Sequence, residues 1–137
     1  MSEYKKPVPV PSVESKPYWE ALKQHRLEMQ RCEDCAHVWF PPSTMCPACL
    51  STNFRWARMS GRGTVFSYVV YHRVYHPEFA VEAPYAVAVV ALEEGPRMIS
   101  NVIGVAPSEM VCDMPVEVVF VDITETATIP KFKPVAR

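Results

Sequence analysis

The chain has 137 residues, 49% apolar and 21% charged, with a formal net charge of −1 and a pI near 6.4. That composition is globular rather than disordered, and the near-neutral charge argues against phosphate-backbone binding as its main work. The longest apolar run, 85–92, is far too short to span a bilayer. The first residues lack the basic-then-apolar pattern of a signal peptide, so a soluble, cytoplasmic protein is expected.

Residues 1–14, punctuated by Pro7, Pro9 and Pro11, read as a stiff extended arm. Ser15 suits a helix N-cap and Pro17 a first helical turn, which predicts a short helix over 18–26. Tyr18, Trp19 and Leu22 share one face of it. That face can cap a core or dock on another subunit.

Next come alternating residues at 27–31 and four cysteines, Cys32, Cys35, Cys46 and Cys49, spaced as C-x2-C, ten residues, C-x2-C. Two such pairs bring four thiolates onto one tetrahedral centre, and zinc is the usual occupant. With every position filled by thiolate, no coordination site stays open for water or substrate, so the metal reads as structural. Disulfides would need an oxidising compartment. His37–Phe40 in this stretch reads as a return strand closed by Pro41 and Pro42, and 54–59 as a third strand. The result is a β-rich ribbon with a cysteine knuckle at each loop tip. Ligation can contribute on the order of 10 kcal/mol to so small a module. His37 reads as a strand residue rather than a ligand. Trp39, Phe40, Phe54 and Trp56 can cover the ribbon core or offer stacking surfaces to a single-stranded nucleic acid.

Gly61-Arg62-Gly63 marks the boundary to a second unit. Strands are expected at 64–75, 85–93, 97–104, 116–124 and 128–134, with a short turn at 107–114. The second of these is apolar throughout, as in a strand covered on both faces. Five strands with a short insertion between the third and fourth fit an OB-type barrel; an open five-stranded sandwich fits the pattern nearly as well. The expected class is therefore mainly β: arm and helix over 1–26, zinc ribbon over 27–59, five-stranded OB-fold barrel over 60–137. His72, Arg73 and His76 follow the first barrel strand in a loop that also holds Phe79 and leads to Tyr85. That loop is the best candidate for a functional surface, through acid–base histidines, an arginine for a phosphate, and aromatic stacking. Cys112, the fifth cysteine, sits beside Asp113, whose charge disfavours thiolate. It reads as a buried structural thiol.

Many pieces in order resemble a family. They are 17–22, Gln30-Arg31-Cys32, Phe40-Pro41-Pro42, Cys46-Pro47, 60–65, Tyr71-His72-Arg73, His76-Pro77, Pro84-Tyr85, 114–116 and Pro130-Lys131-Phe132. The chain resembles bacterial and archaeal proteins in which a rubredoxin-like zinc ribbon precedes an OB-fold domain, commonly encoded beside thiolases and other acyl-CoA enzymes. One departure stands out: glycine often follows the second cysteine of each knuckle, and here Ala36 and Leu50 do. The resemblance implies a non-catalytic accessory subunit that binds a thiolase-like partner and shapes its acyl-CoA site, in thiolysis, retro-aldol C–C cleavage or acyl transfer. It implies structural zinc, a hetero-oligomer, and contact with partner or coenzyme A thioester through Tyr18, Trp19, His72, Arg73, His76, Phe79 and Tyr85. The rivals are a stand-alone acyl-CoA-binding or thioester-hydrolysing protein, and a single-stranded nucleic-acid module.

Overall fold

The computed structural model describes residues 6–73, 77–79 and 83–135. After the proline arm, helix α1 spans Lys16–Lys23. It begins two residues earlier than expected and ends three earlier. Pro17 sits in its first turn, but the Ser15 hydroxyl turns back to Ser12 and makes no capping bond to the helix. At the other end His25 adopts φ 60, the left-handed conformation usually given to glycine. The His25 N–H then donates to Leu22 O and the Arg26 N–H to Ala21 O, which closes the helix.

Among the described residues eight strands follow: β1 (Glu28–Cys32), β2 (Val38–Trp39), β3 (Phe54–Arg58), β4 (Arg62–Tyr71), β5 (Tyr85–Leu92), β6 (Arg97–Asn101), β7 (Pro115–Asp122) and β8 (Thr128–Pro134). The first three form an antiparallel sheet ordered β2-β1-β3, and the rest a five-stranded sheet ordered β6-β5-β4-β7-β8. The outer strands of the second sheet meet in parallel. Val102 bridges Phe132, and the Ile103 N–H donates to Phe132 O at 2.7 Å. The sheet is thus a nearly closed barrel, with a single 3-10 turn at Pro107–Glu109 between its third and fourth strands. This is the OB arrangement rather than the open sandwich.

The barrel core continues into the helix. Tyr18, Leu22, Leu27 and Met29 join Val65, Ala88, Val90, Met98, Val116 and Phe132 in one buried cluster. The helix end is strapped to the rim of β7. His25 Nε2 lies 3.1 Å from Asp122, Lys23 Nζ donates to Thr124 O at 3.1 Å, and the Thr128 hydroxyl also donates to Asp122. Gly61 enters the barrel at φ 80, and a Cβ there would stand 2.4 Å from Val118 Cγ1. Only glycine fits both the backbone and the space.

Strand β5 departs from expectation. Ala86, Ala88, Val90 and Leu92 are buried, whereas Tyr85, Val87, Val89 and Ala91 are half exposed. Among the described residues only one face of this all-apolar strand is fully buried. Cys112 also departs: it is exposed, not buried. The turn before β7 carries it on the outside while Met110 takes the core position. No helix among the described residues is long and apolar enough to cross a membrane.

Candidate metal centre and barrel-mouth cavities

The two knuckles converge. All four Sγ atoms lie within 4.8 Å of one another, with Cys32 to Cys49 at 3.5 Å and Cys35 to Cys46 at 3.6 Å. A disulfide needs about 2.05 Å. A tetrahedron of sulfurs around zinc, with Zn–S near 2.3 Å, has edges of about 3.8 Å. The separations therefore fit a shared metal, and four cysteines are positioned to hold one. Backbone amides already face the sulfurs: the N–H groups of Asp34 and Cys35 donate to Cys32 Sγ, and that of Ala48 to Cys46 Sγ, each at 3.4 Å. The Cys35 N–H, ahead of the other contacts, draws the Cys32 thiol down to about 7. At Cys49 the Ser51 N–H pulls down most strongly, but the neighbouring Cys32, burial and the other thiols together push it up to about 12. A divalent cation removes that conflict by favouring thiolate at every position.

Ala36 and Leu50 explain their glycine-like sites: both have φ 66. Each knuckle turns into the left-handed region so that its last amide closes the loop, Ala36 N–H to Cys32 O and Leu50 N–H to Cys46 O. A side chain there costs roughly 1–2 kcal/mol. The ribbon tolerates that cost twice.

One device escapes sequence reasoning. Gln30, 2% exposed on β1, accepts from the Ser43 N–H at 2.9 Å and donates to Ser43 O at 2.6 Å. The Ser43 hydroxyl accepts from Trp39 Nε1 at 3.0 Å and donates to Met45 O at 2.9 Å. Ser43 thereby fixes the chain just before Cys46. Trp39 meets Phe54 edge-on at 5.7 Å between the knuckles, and Phe40 packs on Tyr18. These aromatics fill the ribbon and its junction to the barrel instead of standing out as a stacking platform. His37 stacks on Trp39 outside the sulfur cluster.

The expected contact residues disperse. Tyr18 lies in the core, 4% exposed, against Trp19 and Phe40. It takes the core-capping role, and burial pushes its phenol well above the ordinary range. Trp19 is half exposed and borders an open cavity of about 490 Å³ with Pro11 and Thr126. His72 and Arg73 are exposed at the end of β4. His76 and the side chain of Phe79 lie outside the described residues. His72 borders a cavity of about 350 Å³ with Val70, Pro84, Pro107 and Ser108. Tyr85 borders another of about 460 Å³ at the barrel mouth, which shares Pro84 and Pro107. Its wall is aliphatic, from Val102, Val105, Ile123 and Ile129, with Lys6 of the arm and Lys131 of β8 at its edge. The structure thus brings His72 and Tyr85 to adjoining hollows on either side of Pro84 and Pro107. It does not bring Tyr18 or Trp19 to them.

Comparison with known proteins follows the same division. The family description "ChsH2, rubredoxin-like zinc ribbon domain" matches residues 19–55, and "ChsH2, C-terminal OB-fold domain" matches 56–121. The chain is 40% identical over 117 residues to a Thermomonospora curvata protein named "Probable enoyl-CoA hydratase alpha subunit", covering 85% of this chain and 36% of that one. It is 37% identical over 109 residues to a "DUF35 domain-containing scaffold protein" of Methanocaldococcus jannaschii, covering 78% and 77%. The chain therefore spans about a third of the hydratase subunit's length but most of the scaffold protein's. Among solved structures it is similar to a chain of "Ltp2-ChsH2(DUF35) aldolase", with TM-score 0.86 and 38% identity over 93% of this chain and 99% of that one. With the zinc-ribbon and OB-fold halves matched in order and across both units, this chain belongs to the ChsH2 family of ribbon-plus-OB-fold proteins.

Proposed function

We propose that this chain is a non-catalytic accessory subunit of a thiolase-like enzyme acting on acyl-CoA, in retro-aldol cleavage, thiolysis or acyl transfer. The observation that carries the reading is the match, over nearly the full length of both chains, to one component of a two-protein aldolase. The sulfur tetrahedron agrees with it. Cys32, Cys35, Cys46 and Cys49 would hold zinc, which when bound supplies a cross-link between the knuckles and keeps no position open for substrate. The remaining work falls to the chain's own surfaces. The ribbon acts as a rigid clip. The barrel mouth, with aliphatic walls and Lys6 and Lys131 at its edge, suits the flank of an acyl-CoA channel: apolar groups can follow the walls and anionic groups can meet the ammonium edge. His72 and Arg73 stand beside it, where contact with partner or substrate is expected.

Co-expression with a thiolase-like candidate partner tests the reading. The two are expected to co-purify in equal amounts, and the partner to lose solubility or acyl-CoA turnover when this chain is omitted. A partner that is fully soluble and active alone, and that never associates with this chain, would overturn it.

A further inference from the structure

The face of the barrel formed by β4, β5 and β6 is unusually bare. A bulge between Val65 and Ser67 shifts the register, after which Ser67 pairs Val89, Val69 pairs Val87 and Tyr71 pairs Tyr85. On the far side Val89 pairs Ile99 and Val87 pairs Asn101. The outward rows therefore read Tyr71–Tyr85, Val69–Val87–Asn101 and Ser67–Val89–Ile99. Phe66 and Arg97 lie at one end. Ile99 is 71% exposed, Val69 55%, Phe66 49% and Tyr71 36%. Tyr71 and Tyr85 stack at 5.6 Å at the other end, where the sheet gives way to His72 and Arg73. Isolated exposed apolar residues are ordinary, but a contiguous apolar face across three strands marks an interaction surface.

The charges on this face narrow the occupant. The apolar rows themselves hold no carboxylate; at their end stand Arg97, whose guanidinium sits 3.9 Å over the Phe66 ring, and the exposed Arg62 of β4, paired with Glu93 at 3.1 Å. A single-stranded nucleic acid needs a row of cations, which this face lacks. A second copy docked by two-fold symmetry would set the face against itself. Arg97 would then be buried while the acids of the adjoining turn, Glu93 and Glu94, are already held by Arg62 and Ser60, which leaves its charge unanswered at high cost. The similar aldolase chain, matched over 99% of its length, belongs to an assembly named for two proteins.

We infer that the β4–β5–β6 face is the surface on which the partner enzyme subunit docks, by an apolar patch carrying an acidic group opposite Arg97. The inference rests on the accessory-subunit reading above and gives it an address. The patch ends at Tyr71–Tyr85, so docking there brings the partner to the His72 side of the barrel mouth. It also accounts for β5, whose residues are apolar on both faces although the described residues bury only one.

The test is a double variant, Val69→Glu with Ile99→Glu, at two exposed sites outside the core. The probe is the thiolase-like partner, with affinity read by calorimetry and mass by light scattering. The expected result is an affinity loss of about 100-fold or more, with metal content and melting temperature unchanged, and a smaller loss for Arg97→Glu. Leu50→Glu on the distant knuckle serves as control and is expected to bind normally. If wild type binds and the double variant binds equally well, the face is wrong and the accessory role stands. If wild type binds no partner, both readings fall. A wild-type homodimer dissolved by the double variant would show a second copy on this face and overturn the inference.

Discussion

The ribbon and the barrel reach order by opposite means. The barrel has a continuous core that begins in the helix and ends at Phe132. The ribbon's own cluster is Cys32, Trp39 and Cys46, with Phe54 against them, since Leu27 and Met29 turn to the barrel core. A module that small needs a staple, and its stabilisation sits in four sulfurs. The barrel's sits in many aliphatic contacts, none of them indispensable. The ribbon should therefore fail all at once on loss of one ligand, and the barrel by increments.

The largest effect expected is Cys46→Ser. Removing one thiolate should forfeit most of the ligation energy, on the order of 10 kcal/mol. Trp39 fluorescence should become that of an exposed indole while far-ultraviolet dichroism retains the barrel signal. A folded, metal-free ribbon in this variant would break the contrast. Next is Gly61→Ala in the barrel. Its methyl group meets Val118 in a left-handed backbone, and overpacking with strain should cost about 2–4 kcal/mol. Denaturant unfolding should shift for the barrel while metal content stays full. Gln30→Leu comes third. It removes the partner of the part-buried Ser43 amide and carbonyl, costs about 1 kcal/mol, and should quicken metal loss to a chelator with the cysteines untouched. Leu50→Gly reverses the sign: relief of the left-handed strain, less the added chain entropy, should stabilise the ribbon by about 0.5–1 kcal/mol.

The smallest effect is a pH dependence at the helix strap. The hydroxyl of Thr128 first, then His25 and Lys23, holds the Asp122 carboxyl below its ordinary range. A depressed carboxyl contributes stability above its unfolded value and loses it as pH falls through the folded one. The difference in urea midpoint between wild type and Asp122→Asn should thus be present at neutral pH and shrink in acid. A constant difference from pH 7 to pH 2 would contradict the assigned strap.

What was legible in the sequence follows from how local each signal is. The cysteine spacing is a short-range pattern, so the sulfur cluster could be read directly, and strand alternation with turn residues gave the five barrel strands. The Gln30–Ser43 clasp has no periodic signature, because one buried amide looks like any surface glutamine until β1 is placed. The helix end at His25 depended on a left-handed residue that is not glycine. Cys112 lay in a turn whose outward face only the fold decides. The apolar run of β5 was readable as a strand with two covered faces, but the described residues bury only one of them. Tyr18 and Trp19 are adjacent, yet one is buried and one half exposed, a distinction set by the packing of Phe40 from the ribbon.

On the function proposed above, a metal-clipped ribbon and an OB barrel together serve as a subunit of a larger enzyme. Native mass spectrometry of the chain co-expressed with its thiolase-like partner tests it most directly. The expected result is a complex of both proteins with one zinc per copy of this chain, and no zinc with Cys46→Ser. A Cys46→Ser chain that still carries one zinc, or a wild-type chain that carries zinc yet never joins the partner, would contradict it.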